Sequence, residues 1–357
     1  MSTSRRSGYH PALQLFEELL VPAPSGREWE LARLVQEKIE ILGFEPVTDA
    51  AGNVHARLDG RDPEAPLTCL AAHMDEIGMV VTRVETDGTL RVDRSGGLRP
   101  WKLGEGPVEV LGDVETIVGV LSMGSTHTEK SASQAIRWED CRILTGLDAV
   151  ALAEAGVRPG TFAVPERSRR GPIVFGDPGD PLAGAWTFDD RAGVVTLLRL
   201  LERMKTLDAR PAFPIAIAFT VSEEVGGHGA KALVRLLDPE VFIAVDGAPI
   251  PPGAPLALDG RPGIWAKDRQ APYDPRLVGE LMAAAVRAGT GLQPVVYDSA
   301  ASDASMSAAS LGVPRIACIG HVRENSHGFE VLRVAVLDNL LDTLYQFLVG
   351  DKDVRTD

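Results

Sequence analysis

The chain has 357 residues, 45% of them hydrophobic, which is enough to bury a substantial core in one large or two ordinary domains. Its formal charge of −14, from 36 basic and 50 acidic residues, argues against nucleic acid as a partner, because such binding needs a basic surface to replace phosphate counterions, and favours small cations instead. The opening MSTSRRSGYHP has paired arginines but no apolar stretch behind them, and no later apolar run is long enough to cross a bilayer, so no membrane partner is expected and a cytoplasmic location is the default.

Ser25-Gly26-Arg27-Glu28 has capping-box spacing, and Leu31, Leu34, Val35, Ile39 and Leu42 follow at helical intervals before Gly43, so an amphipathic helix is expected. Pro46 to Thr48 and Val54 to Leu58 flank an Asp-Ala-Ala-Gly-Asn turn and read as a hairpin. Leu67 to Ala72 is an unbroken apolar run, the pattern of a strand buried on both faces. From Val80 to about Val174 the texture changes: Val80 to Val84, Leu90 to Val92, Val108 to Leu111 and Thr116 to Leu121 alternate with glycine-rich turns, as in a small β domain. Cys69, Cys141 and Cys318 lie far apart without CxxC spacing, so reduced structural thiols are expected rather than disulfides or a thiolate zinc site.

After Thr187 helical and strand patterns return: a helix over Ala192 to Met204, a buried strand over Phe213 to Val221, a helix over Ala230 to Leu237 and a strand over Val241 to Val245. Asp274-Pro275 reads as an N-cap with proline at the first helical position, opening a helix to about Ala288. A strand near Pro314 to Ile319 and a helix over Val334 to Leu348 complete the pattern. The expected fold class is α/β: a mixed, largely parallel sheet flanked by helices over residues 1–78 and 178–357, with a small β domain inserted at 79–177.

Three buried strands run into polar residues. Leu67 to Ala72 leads to His73-Met74-Asp75-Glu76, Phe213 to Val221 to Ser222-Glu223-Glu224, and Val241 to Val245 to Asp246. Parallel sheets bind ligands at the carboxyl ends of their strands, so these residues can converge. Crowded carboxylates repel one another unless a cation stands among them, and a mixed imidazole and carboxylate set suits zinc, cobalt or manganese better than calcium. Asp75, two residues beyond His73, can hold the other imidazole nitrogen. Glu223 and Glu224, being adjacent, can point apart, one toward a metal and the other toward water as its base. Taken alone, Glu223-Glu224 is also an ordinary acidic helix start, and Asp189-Asp190 an ordinary N-cap; the alternative for Asp189 is a bridging carboxylate with Asp190 or Arg191 holding the turn. His321 and His327 follow the last expected strand; only one is expected to be a ligand, and His327 is favoured, while His10, His55, His127 and His228 are expected at surfaces or turns.

In order, AAHMDEIG (71–78), FDDRAG (188–193), SEEVGGHGA (222–230), AVDG (244–247) and SHGFE (326–330) resemble the tetrahedral aminopeptidases, metallopeptidase family forty-two, the glutamyl aminopeptidase-like enzymes, over nearly the whole chain. The resemblance implies a PDZ-like inserted domain that helps build a homo-oligomer, a dodecamer or a dimer. It implies two divalent metal ions, zinc or cobalt first and manganese third, one held by His73, Asp189 and Asp246, the other by Asp189, Glu224 and His327. Glu223 would be the general base that deprotonates a metal-activated water, and Asp75 the orienter of His73. The substrates implied are short peptides losing their N-terminal residue. A related metal-dependent amide hydrolase, deacylase or carboxypeptidase, and an inactive oligomeric binding protein are the alternatives. The chain departs from the family where Asp190 stands for a frequent Asn, where Ala300-Ala301-Ser302-Asp303-Ala304 replaces GGTDA, and in the spacing of Arg323 to His327.

Overall fold

The computed structural model of the chain describes residues 10–125, 127 and 135–350; the paired arginines of the opening segment lie outside them. The first helix, Pro11–Glu18, has proline in its first turn and His10 as its N-cap. The second, Trp29–Ile41, turns Leu31, Val35 and Ile39 into the core and stops before Gly43, whose φ of +81° suits glycine. The expected capping box is not formed. Glu28 is the N-cap residue in helical geometry and makes no cap bond, while Ser25 Oγ donates to Asp75 Oδ2 at 2.7 Å and Glu28 Oε1 accepts from Ser222 N at 3.0 Å. Those side chains have been drawn away from the helix to distant loops.

Strands β1 (Val47–Thr48) and β2 (Val54–Leu58) form the expected hairpin, its turn held by Asp49, which accepts from the amides of Ala51 and Asn53. Strand β3 (Thr68–His73) is buried throughout. Six strands follow in a closed barrel, β4 (Gly78–Val84), β5 (Leu90–Ser95), β6 (Gly106–Leu111), β7 (Thr116–Ser122), β8 (Arg142–Leu144) and β9 (Phe162–Pro165), around a core that includes Met79, Leu90, Val108, Val110, Leu121 and Ile143. Then come β10 (Ile173–Phe175), β11 (Leu182–Trp186), the helix Phe188–Thr206, β12 (Ile215–Thr220), the helix His228–Leu237, β13 (Val241–Val245) and β14 (Ala248–Pro249). The last part holds β15 (Gly263–Lys267), the helix Pro275–Arg287, β16 (Gln293–Val296), β17 (Arg315–Gly320), β18 (Val322–Glu324), β19 (Phe329–Arg333) and the helix Ala335–Val349.

The main sheet runs β1-β2-β12-β3-β13-β17-β15-β16, with β12, β3, β13 and β17 parallel, the hairpin antiparallel to β12, and β15 antiparallel to β17 but parallel to β16, so the fold is the mixed α/β class expected. Its central strands read as unbroken apolar runs because both faces are covered. Leu70, Ala72, Ile217, Phe219 and Ile243 face the helices Pro11–Glu18, Trp29–Ile41, Phe188–Thr206 and Ala335–Val349, while Cys69, Ala71, Ala216, Ala218 and Phe242 face Ala230 and Leu233. A second sheet, β10-β11-β19-β18-β14, was not anticipated. Three of its strands have only two or three residues, and β10 is exposed along its length, so neither length nor alternation marks them. His55, expected at the surface, is 3% exposed on β2, where burial lowers its pKa. Among the described residues no helix is long and apolar enough to cross a membrane.

Behind the β3 edge, the buried Glu76 carboxylate ties four chain segments together. Its Oε1 accepts from Ala23 N at 2.8 Å and from Arg170 Nη2 at 3.1 Å, and lies 3.6 Å from Arg191 Nη2. Arg191 in turn donates to the carbonyls of Leu19, Val21 and Met74. Removing one member of a buried ionic group leaves the others uncompensated. Arg170→Met is therefore expected to lower unfolding free energy by about 3 kcal/mol, read by chemical denaturation. A loss below about 1 kcal/mol would mean that Arg191 alone neutralises Glu76.

Candidate metal centre

β3, β12 and β13 are adjacent and parallel, so their carboxyl ends deliver His73, the Ser222-Glu223-Glu224 turn and Asp246 to one edge. The start of the helix Phe188–Thr206 brings Asp189 and Asp190, and the β18 to β19 turn brings His327. Three residues here have left-handed φ angles: Thr187 (71°), Ser222 (56°) and His327 (59°). Such backbone is costly for non-glycine residues and persists where surrounding contacts enforce it.

Asp189 stands between two imidazoles. Its Oδ1 is 3.2 Å from His73 Nε2 and its Oδ2 is 3.5 Å from His327 Nε2, which also lies 3.6 Å from Glu224 Oε2. Two sets of donor atoms each lie within 4.8 Å of one another: His73, Asp190 and Asp246, and His73, Asp189 and Glu224. Asp246 thus groups with Asp190 rather than directly with Asp189. Asp189 and Asp190 both have non-helical backbone angles at a kink in the helix; Asp190 caps the part beyond it, accepting from Gly193 N at 3.1 Å, and also accepts from His73 N at 3.3 Å, while Asp189 makes no such cap.

Asp75 lies beyond the end of β3, so strand geometry does not aim it at His73. His73 Nδ1 is closest to the Asp75 backbone carbonyl, at 3.0 Å, and 3.5 Å from its carboxylate. The carboxylate instead accepts from two successive amides, Glu223 N at 2.9 Å on Oδ1 and Glu224 N at 3.1 Å on Oδ2, with Ser25 Oγ also on Oδ2. This grip and the left-handed Ser222 turn the chain so that the adjacent glutamates diverge, Glu224 toward His327 while Glu223 stays outside both donor sets.

The charges demand compensation. Burial, and then the nearby Asp189 charge, push Asp246 up to about 6; burial first and Asp189 among its neighbours push Glu224 up to about 7, against the opposing pull of His327. Burial also raises Glu223 and Asp190 well above the usual carboxylate range. Asp189 goes the other way: burial opposes ionisation, but Arg323 and then His73 hold it well below its ordinary value. A buried set of carboxylates and imidazoles with this excess of negative charge fits divalent cations.

One cationic and one acidic partner of Asp189 had no role assigned from the sequence. Arg323, 2% exposed, pairs with Asp189, puts Nε 2.9 Å from Glu330 Oε1 and directs Nη1 to His321 Nε2 at 3.3 Å. Glu330 also accepts from Asp189 N at 2.8 Å and His327 N at 3.3 Å. Glu330 belonged to the SHGFE motif, which was the available signal. His321 is fully buried behind Arg323, and its Nδ1 has no partner among the described residues. Asp303 accepts from Thr220 Oγ1 at 2.6 Å, and burial pushes it up to about 7. From the barrel side, Gly97 lies so close to the His327 ring that a Cβ there would collide with it. The centre opens into a cleft of about 1000 Å3 whose wall includes Lys102, Trp265, Arg269 and Tyr297.

Comparisons with known proteins agree with this geometry. A family model described as M42 glutamyl aminopeptidase matches residues 52–342. A glutamyl aminopeptidase of Lactococcus lactis subsp. cremoris is 28% identical over 66% of the chain and 67% of its own length. A lysyl aminopeptidase of Pyrococcus furiosus is 30% identical over 61% of the chain and 66% of its own length. Among solved structures, the Pyrococcus horikoshii TET1 peptidase, described as able to assemble into a tetrahedron or a large octahedral shell, superposes with a TM-score of 0.82 at 25% identity, covering 95% of this chain and all of that one.

Gly247, next to Asp246, leaves the space that the Arg323 guanidinium fills; a Cβ at Gly247 would overlap it. Gly247→Ala must therefore push Arg323 off Asp189. In metal-free protein this is expected to cost about 1–3 kcal/mol, measured by thermal or urea unfolding after chelation. An unchanged midpoint would mean that the arginine has another equally good position.

Proposed function

The chain belongs to the M42 glutamyl aminopeptidase family, and we propose on that footing that it is a metal-dependent aminopeptidase, a peptide hydrolase that removes the N-terminal residue of short peptides. The observation that carries this is the position of Asp189, with one carboxylate oxygen toward His73 and the other toward His327, the arrangement needed to serve two metal ions at once. Two divalent ions, zinc or cobalt first and manganese third, would be held by His73, Asp189 and Asp246 and by Asp189, Glu224 and His327; Asp190, whose carboxylate groups with His73 and Asp246, borders the first set. When bound, they would polarise the scissile carbonyl and lower the pKa of water at neutral pH.

The remaining work belongs to side chains. Glu223 lines the cleft, and its carboxylate accepts no hydrogen bond from any described residue, so its oxygens are free to take a proton from water and hand it to the leaving amine. Asp75 fixes Glu223 by its backbone amide, and it holds His73 from the Nδ1 side, which keeps Nε2 turned toward Asp189. Arg323 and Glu330 brace Asp189 through its carboxylate and its amide.

We divide the chain into a catalytic domain over 1–78 and 178–357 and a PDZ-like insert over 79–177. The resemblance of the family and the assembly named for the Pyrococcus horikoshii relative support a homo-oligomer, which we take to be a dodecamer or a dimer, and we take its location to be the cytoplasm.

Zinc- or cobalt-loaded protein is expected to release amino acids from peptides with free amino termini and not from N-acetylated ones; release only from the acetylated set would make it a deacylase instead. Glu223→Gln should keep both metals by elemental analysis while losing about 10²- to 10⁴-fold in turnover. Full activity in that variant would remove Glu223 as the base. Asp189→Ala should lose metal as well as activity, and retention of two tightly held ions would end the bridging role.

A further inference from the structure

A second cavity of about 530 Å3 adjoins the cleft, and the two share Gly226, Arg269 and Met306 in their walls. Gly226 closes the turn that begins at Glu223, its amide donating to the Glu223 carbonyl at 2.9 Å. The second cavity is therefore lined by a residue whose Cα lies within about 7 Å, the span of a four-residue turn, of the Cα of the proposed base.

The charged residues lining this cavity are Lys231 and Arg269, and none of its lining residues is acidic. In a chain with 50 acidic and 36 basic residues, such a one-signed lining is a local reversal of the overall charge. Lys231 is oriented by donating its Nζ to the Gly226 carbonyl at 2.8 Å, which leaves two of its three ammonium hydrogens for another acceptor. Arg269 is exposed, and only its backbone amide is tied, to Ala300 O at 3.1 Å; its guanidinium pairs with no described residue. Gln270 and Ser310 add neutral polar groups beside it. Two cations of this kind, one fixed and one a free planar fork, match a carboxylate.

We propose that this cavity is an anion subsite for a carboxylate of the peptide substrate, either its C-terminal group or an acidic side chain, an inference that rests on the aminopeptidase reading of the adjoining cleft. An extended peptide advances about 3.3 Å per residue, so a carboxylate two or three residues from the bond being cut spans the distance from Glu223 past Gly226. The subsite makes the enzyme favour short peptides whose free carboxylate falls at that reach.

The test measures binding without turnover, by calorimetry on zinc-loaded Glu223→Gln protein at low salt. The probes are trialanine as free acid and as C-terminal amide, and Ala-Ala-Glu-amide against Ala-Ala-Gln-amide. At least one acid of the two pairs is expected to bind about threefold to tenfold tighter than its neutral partner, as one partly exposed charge pair allows. Which pair discriminates identifies the source of the carboxylate. Adding Arg269→Met should bring that ratio close to one, and Arg269→Glu should invert it. Equal affinities within both pairs, or a preference that survives Arg269→Glu, would overturn the subsite. Discrimination without amino acid release by the Glu223 parent from any free peptide would keep the subsite and count against the aminopeptidase reading.

Discussion

The structure is organised by the need to keep several carboxylates buried together where parallel strands end. Asp189, Asp190, Glu223, Glu224 and Asp246 share one edge, and in low dielectric their charges cannot coexist without cations close by. The protein supplies His73, His327 and Arg323, which explains why Asp189, nearest to all three, is the one held ionised. The others are raised by burial, and that leaves room for further positive charge. A fold without parallel strands would have scattered these residues, since His73 and Asp189 alone are 116 positions apart in the chain.

Around this cluster stands a second tier of acids whose partners are mostly backbone amides and arginines. Asp75 grips the amides of Glu223 and Glu224, Glu330 the amides of Asp189 and His327, and Glu76 the amide of Ala23 together with Arg170 and Arg191. Each of these contacts orients a segment rather than a single side chain. The barrel is joined to the centre in two ways: Arg170, just after β9, reaches Glu76, and Gly97, after β5, lies against His327. Any movement of the barrel therefore loads the residues that hold the site.

The sequence reveals what periodicity and strand ends can encode. The central strands were legible because their unbroken apolar runs are too short for a buried helix and end at polar residues, and Asp274 was legible because its side chain does accept from the Arg276 and Leu277 amides. Ser25 and Glu28 had the same kind of local spacing, yet their side chains serve Asp75 and Ser222, 50 and 194 positions away. Local spacing cannot reveal a competing partner supplied by tertiary structure. The same reason hid the contact of Arg323 with Asp189 and the reach of Asp190 to His73 N. The significance of these two residues is their distance from Asp189, His73 and Asp246, and nothing in their flanking residues records it.

The two adjacent glutamates illustrate how much such distant partners decide. In a regular strand Glu223 and Glu224 would face opposite sides of the sheet, and only one could reach the edge cluster. In a helix beginning at once, both would be drawn to its N-terminal amides. Neither occurs, because Ser222 adopts a left-handed angle and the Asp75 carboxylate takes both amides of the pair. With the amides held on one acceptor, the side chains are free to separate, and Glu224 turns to His327 while Glu223 keeps its oxygens unengaged. The turn that follows, through Gly226, forms a wall common to the catalytic cleft and the cationic cavity beside it. The hydrogen bonds that separate the proposed metal ligand from the proposed base therefore also fix the wall between the cleft and the cationic cavity.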